Sequence, residues 1–356
     1  MGKLSRYTYI DVLRVFCSVL VIATHVIMFY INAFTTHSIS WTLLTLSKSV
    51  TQCAVPIFFM ISGATILSST KEEPYSSFIK RRLSKIAIPF FAYSVLYYLF
   101  YVFVKKEMTL GVYPFVQAFA RANISGHFWY IYALLPLYFI FPFFRKLVQN
   151  LTQKQLLTLI CIFFVINSFI PSLNEAFSMF SNFKIGYYSY GKAGVYLNYT
   201  LIGYYIHNYV KPQDKNLKTN CLMLFTALAS VGGMTLLTYF VSGKKIDQTW
   251  LDITWPFVIF YSVAVMVLAK IRFETKPLGE KLANFISKLG VLSFSAYLVH
   301  MLALRTIQIY IPRPLMEDCD NPQAALLLLI IFIVGVLASY LWAFIVSKLP
   351  LIKKIL

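Results

Sequence analysis

Charge is what this 356-residue sequence has least of: Asp, Glu, Lys and Arg together make up 13% of it, against about a quarter in soluble globular domains. That shortfall excludes an ordinary soluble fold. Acidic residues are the scarcer sign, 13 against 32 Lys and Arg. Cysteines number five and follow no metal-ligand spacing; Cys17, Cys53, Cys161 and Cys221 lie in apolar stretches and only Cys319 in an evident loop, so neither a disulfide framework nor a metal centre is expected. No G-x-S-x-G elbow and no H-E-x-x-H pair occurs, which removes support for a hydrolase triad or a zinc site. Internal repeats and low-complexity tracts are also missing. What is present is hydrophobic: 59% of the residues, with a mean hydropathy of +0.69. So apolar a chain cannot stay solvated as a disordered polymer. The expected class is all-α, a polytopic integral membrane helical bundle.

Crossing a hydrocarbon core takes about 17 to 25 apolar residues, and ten stretches of that kind are expected, at 8–31, 42–67, 86–104, 128–144, 155–173, 191–210, 219–241, 251–269, 288–310 and 324–347. The fourth is short and the sixth is rich in Tyr and Gly. The first has Lys3 and Arg6 ahead of it like a signal peptide, but Asp11 and Arg14 interrupt the run and no small-residue cleavage site follows, so it reads as a retained helix. Little remains between the stretches, so 1–356 reads as a single transmembrane domain with no soluble domain. With an even number of spans the two termini share a side. Twenty-one Lys and Arg fall in the loops of that side and eight in the opposite loops, while Arg14, Lys48 and Arg305 fall inside spans. The positive-inside bias then puts both termini in the cytoplasm of a multi-pass plasma-membrane protein. It also explains the net charge of +19 without a nucleic-acid partner. Asn123, Asn150 and Asn198 each begin an N-x-S/T triplet, read as chance.

Ionisable groups inside a span are costly and mark candidate sites. The first span carries three. Arg14 and His25 are eleven steps of 100° apart, or about 20° after whole turns, and about 16 Å apart along the axis. Asp11 and Ser18 complete the same stripe. This describes a polar track with a cation near its entrance and a proton acceptor deep inside. The plainer reading makes Asp11 and Arg14 an interfacial ion pair and His25 a packing residue. His300, about eleven residues into the ninth span, is placed to face His25 as a second acid or base, or to pack with Ser293 or Tyr297. His37 and His207 show no polar company in the sequence. Glu175, Asp247 and Asp252 fall in outer loops, where solvation is the plain reading.

Ahead of the third span, Lys80, Arg81, Arg82 and Lys85 crowd four cations into six residues. Guanidinium groups bind phosphates bidentately, but such a run also anchors a span and sets orientation. His127, Trp129 and Tyr130 open the fourth span at its outer end, where a sugar ring would stack and where an aromatic belt would equally sit. Ser62-Gly63 permits close helix packing better than it supplies a nucleophile.

Arg14 and His25 with ten residues between them, the run Phe58-Phe-Met-Ile-Ser-Gly63, and the basic run closing on Pro89 together resemble the membrane-bound acyltransferase 3 family. So do Gly126-His-Phe-Trp-Tyr-Ile-Tyr-Ala-Leu134 with Tyr138 and Pro142, and Leu292-Ser-Phe-Ser-Ala-Tyr-Leu-Val-His300. These motifs are spread over almost the whole chain. The resemblance implies an enzyme of ten or so helices that takes an acyl group from cytoplasmic acyl-coenzyme A and esterifies a hydroxyl, often on a cell-envelope glycan. It makes Arg14 and His25 the central pair. The family's Arg-x-x-Arg falls on Arg82 and Lys85, so the second position departs from the pattern and loses the planar fork.

With that resemblance, the coenzyme A head group is expected on Arg81, Arg82 and Lys85, with Ser62 beside the donor and its thiol arm running past Arg14. His25 then serves as general base or acyl carrier, with Asp11 and His300 in support. His127, Trp129, Tyr130 and Tyr138 are expected to meet the acceptor, an envelope glycan or lipid-linked sugar. No metal and no bound cofactor is expected; acyl-coenzyme A, most simply acetyl-coenzyme A, is a co-substrate. A glycan transporter or flippase is the alternative, with the polar stripe lining its path.

Overall fold

Long apolar runs in lipid satisfy their backbone polar groups only as helices or closed barrels. In a computed structural model, which describes residues 7–178, 191–211, 217–311 and 322–349, this chain takes the first course, with no strand among the described residues. The elements are α1 (Thr8–Tyr30), α2 (Ile39–Thr51), α3 (Ala54–Ser62), α4 (Tyr75–Phe103), α5 (Val112–Ala120), α6 (Trp129–Gln149), α7 (Gln153–Phe164), α8 (Ile170–Ser178), α9 (Gly191–Tyr209), α10 (Leu217–Val241), α11 (Pro256–Thr275), α12 (Glu280–Tyr310) and α13 (Pro322–Lys348). Single π-helical segments at Gly63–Leu67 and Val165–Phe169 extend α3 and α7.

Among the described residues, nine helical stretches are long and apolar enough to cross a membrane. They match nine of the ten expected spans. The tenth, α9, has 19 residues, about 28 Å at 1.5 Å per residue. Its tyrosines, glycines and asparagines make it less apolar than the others because protein, not lipid, surrounds it: Val195, Asn198, Tyr199, Thr200 and Leu201 are all buried. Two glycines bring its backbone against α3. A Cβ on Gly203 would lie 2.0 Å from the Met60 carbonyl oxygen, and one on Gly63 would lie 1.8 Å from that of Thr200. Close approach of this kind is how helices associate where lipid removes the hydrophobic incentive. The packing role expected of Ser62-Gly63 is therefore filled, with the Ser62 hydroxyl turned back onto the Phe58 carbonyl at 3.1 Å.

The second expected span is not one rod. It breaks at Gln52–Cys53, where α2 ends, and the Tyr261 hydroxyl donates to the Val50 carbonyl at the break at 3.0 Å. The fourth begins in an unexpected place. The segment before α6 turns into the bundle, with Ile124, Ser125, His127 and Phe128 all buried. At the centre, α1 lies along α12, flanked by α13, α11, α2 and α3. Tyr9, Leu13, Cys17, Val21 and Ile22 form its buried side.

Candidate active site

Three histidines remote in sequence meet in the interior. His25 of α1 lies 5.1 Å from His300 of α12, and His127 lies 4.8 Å from His300 and 6.4 Å from His25, ring centroid to ring centroid. Each of two rings is held by its Nδ1. His300 Nδ1 donates to the Tyr297 carbonyl at 2.5 Å, which leaves the imidazole lone pair on Nε2 when the ring is neutral. His127 Nδ1 bonds the Ser125 hydroxyl at 2.9 Å. The Nε2 atoms of both are buried without a hydrogen-bond partner. Tyr297 ties the group together by donating from its hydroxyl to the His127 carbonyl.

The α12 backbone beside His300 is also altered. The Tyr97 hydroxyl of α4 donates to the Leu298 carbonyl at 3.0 Å and accepts from the Leu302 N–H at 2.8 Å, two groups that an α-helix pairs with each other. Tyr97 also packs against His127 with centroids 5.2 Å apart. One phenol thus touches both supporting histidines' surroundings.

His25 itself reaches open space. A cavity of about 220 Å³ is lined by His25, Thr24, Lys48, Thr51, Gln52, Trp129 and Gln248 among others. Its polar wall comes from the α2–α3 break and from the segment before α11. Gln52 spans these two by donating from Nε2 to the Leu251 carbonyl, so its Oε1 faces Lys48, whose Nζ lies 3.4 Å away.

Arg14 belongs to a second polar cluster, a few turns of α1 nearer the N-terminus. Its Nη1 pairs with Asp11 Oδ1 at 3.0 Å, and Asp11 is buried against Gly290 of α12, whose added Cβ would lie 3.3 Å from that oxygen. Arg82 of α4 lies over the ring of Tyr138 with its guanidinium carbon 5.8 Å from the centroid, and the charges of Arg82 and Arg14 both bear on the Tyr138 hydroxyl. Arg81 turns instead to Glu73 at 2.5 Å, and Lys85 is exposed. Between the two clusters stand Cys17 and Tyr130, both buried; Tyr130 stacks edge-on to Tyr297 at 5.7 Å. Arg14 is not among the residues lining the His25 cavity. Ser18 of the expected stripe points to α13, bonding the Tyr340 hydroxyl at 2.5 Å.

The structure thus brings His25 and His300 together as expected and regroups other residues. His127 is 2% exposed, so it is no surface or belt residue; the inward turn of 124–128 carries it to the histidine centre. Trp129 stays on the cavity wall, whereas Tyr130 is buried between the clusters and Tyr138 sits beside Arg82. His207 does have polar company, the Tyr9 hydroxyl at 2.6 Å. His37 has it too, with Nε2 donating to the Tyr239 carbonyl at 2.9 Å. Sequence reasoning missed Lys48, Gln52 and Tyr97. For Lys48 the signal was there, an ammonium within a span. Among the described residues no group of three or more His, Cys, Asp or Glu side chains has the geometry to hold a metal ion.

The described helices form a multi-pass bundle with three imidazoles gathered in its interior and a second polar cluster around Arg14 and Arg82. The acyltransferase domain model of the acyltransferase 3 family matches residues 7–348, nearly the whole chain, and the protein belongs to that family. It is a membrane acyltransferase. Neither a curated protein nor a solved structure matches it.

Proposed function

We propose that the protein moves a short acyl group, most simply acetyl, from cytoplasmic acyl-coenzyme A to a hydroxyl of a cell-envelope carbohydrate, with both chain termini in the cytoplasm of the plasma membrane. The observation that carries this reading is the meeting of His25, His127 and His300 in the interior, with His25 alone of the three opening onto a cavity. Acyl transfer to an alcohol needs a group that takes the hydroxyl proton and donors that meet the oxyanion. His25 takes the proton as the alcohol oxygen bonds to the thioester carbonyl carbon. The tetrahedral species then collapses by breaking its carbon–sulfur bond, and the imidazolium returns the proton to the departing thiolate.

His300, fixed through Nδ1, packs its ring against that of His25 at 5.1 Å and so limits how His25 can turn. Arg14, Arg82 and Tyr138 receive the phosphates and pantetheine of the donor, and Arg14 is kept in place by Asp11. Trp129 offers the acceptor ring an aromatic wall. The test uses sealed membrane vesicles and labelled acyl-coenzyme A. Inverted vesicles should incorporate label into glycan in a His25-dependent way, and right-side-out vesicles should not; incorporation by His25→Ala equal to wild type would refute the reading.

A further inference from the structure

The cavity on His25 holds a charge that no carboxylate among the described residues balances. Lys48 is 4% exposed, lines the cavity, and among the described residues its ammonium hydrogen-bonds only a neutral amide, at the long distance of 3.4 Å. Arg305, 1.4 turns beyond His300 on α12, lies near enough for its charge, like that of Lys48, to act on His25. Its Nε is buried without a partner, and its guanidinium is otherwise spent on the Gln308 amide at 3.0 Å and the face of Phe29. Among the described residues no carboxylate pairs with either cation. Two other interior cations do have carboxylate partners, Arg14 with Asp11 and Lys270 with Glu274. The acids on the Lys48 side are engaged, Asp252 with Lys192 and Asp247 with the Thr249 N–H.

A buried ion without a counter-ion is strongly destabilising, more so within a membrane. The carbonyls at the end of α2 offer Lys48 only partial charges. The remaining balance has to come from what fills the cavity. A transient oxyanion would leave Lys48 uncompensated throughout the bound ground state, whereas a ligand with its own formal negative charge compensates it from the moment of binding. The volume, about 220 Å³, is below the roughly 300–1,000 Å³ of drug-sized sites and suits one saccharide ring.

We infer that the acceptor is an anionic sugar unit, carrying a carboxylate or phosphate that Lys48 binds, so that one of its hydroxyls is set against His25. This deepens the transferase reading and rests on it. The test is mass spectrometry of envelope glycans from one host producing no protein, the wild type, Lys48→Met or Lys48→Arg, with the acyl group localised to a single sugar unit. In parallel, wild-type, Lys48→Met and Lys48→Arg vesicles receive labelled acyl-coenzyme A with the isolated glycan at varied concentration, and the wild type also receives glycan whose acid groups are methyl-esterified.

The acylated unit should carry an acid group. Lys48→Met should raise the acceptor KM by at least roughly 30-fold, the low end for truncating one partner of a buried charge pair, with Lys48→Arg keeping part of the affinity. Esterification should impair wild-type transfer similarly, a result independent of whether Lys48→Met folds. Acyl groups on a neutral unit, or equal use of native and esterified glycan, would overturn the inference while leaving the transferase reading intact. Failure to consume acyl-coenzyme A in any arm would instead bring down the transferase reading, and this inference with it.

Discussion

His300 faces His25 at 5.1 Å with its Nδ1 committed to the carbonyl of Tyr297 three residues earlier on the same helix. The bond fixes both the plane of the His300 ring and which nitrogen carries the proton. In the proposed mechanism His300 is thereby a positioning residue for His25. His300→Gln should therefore lower kcat for acyl transfer while leaving the KM for acyl-coenzyme A within about twofold, since uniform ground-state binding is not what is lost. A matched rise in KM for the donor would show that His300 acts on binding instead.

Tyr97 fills a gap in α12. Replacing it with Phe removes the hydroxyl that joins the Leu298 carbonyl to the Leu302 N–H, at a cost of about 1–3 kcal/mol if the two groups stay unsatisfied. Tyr97→Phe should lower the thermal unfolding midpoint and reduce turnover more than Tyr101→Phe, four residues on in α4. Equal midpoints for the two variants would mean that α12 closes its own hydrogen bond without help.

The α3–α9 contact is a backbone contact, so a single methyl tests it. Gly203→Ala must displace the Met60 carbonyl, whereas a Cβ on Gly232 of α10 meets nothing within 4 Å. Overpacking of this kind costs typically 1–3 kcal/mol. Gly203→Ala should lose stability or fail to accumulate in membranes, and Gly232→Ala should behave as wild type; unfolding of the purified proteins in detergent reads the difference.

At the basic end the cations divide by their surroundings. Arg82 faces Tyr138 and shares its neighbourhood with Arg14, while Lys85 is exposed and Arg81 is tied to Glu73. Arg82→Ala should raise the KM for acyl-coenzyme A by tenfold or more, as expected of lost charge-assisted phosphate contacts worth roughly 1.5–3 kcal/mol. Lys85→Ala should shift it by less than threefold, and only at low salt, because exposed charges are screened. A larger effect at Lys85 would restore the second position of the family's basic pair to a direct role.

Much of this was legible in the sequence because lipid punishes misplaced charge. Asp11, Arg14 and His25 on one helix, the basic run and the ten spans all follow from hydropathy and 100° steps. Those rules give depth and face, not which helices are neighbours. His127 therefore read as interfacial, since nothing in a hydropathy profile records that residues 124–128 turn inward. The neighbourhood of Tyr138 and Arg82 was not legible either, because it crosses from α6 to α4. α9, rich in Tyr and Gly, was among the weaker stretches in the sequence because much of it is buried in protein, and a helix enclosed by protein need not be apolar.

The most direct measurement is the turnover of labelled acyl-coenzyme A by purified protein in proteoliposomes, comparing wild type with His25→Ala, His300→Ala and the double variant, each confirmed as folded by its unfolding midpoint. His25→Ala should lose about 10²- to 10⁴-fold, the usual contribution of a general base. The double variant should then be no slower than His25→Ala alone, since residues acting as a unit are not additive. Wild-type turnover by folded His25→Ala, or independent and multiplying losses at the two positions, would contradict a catalytic centre built on these imidazoles.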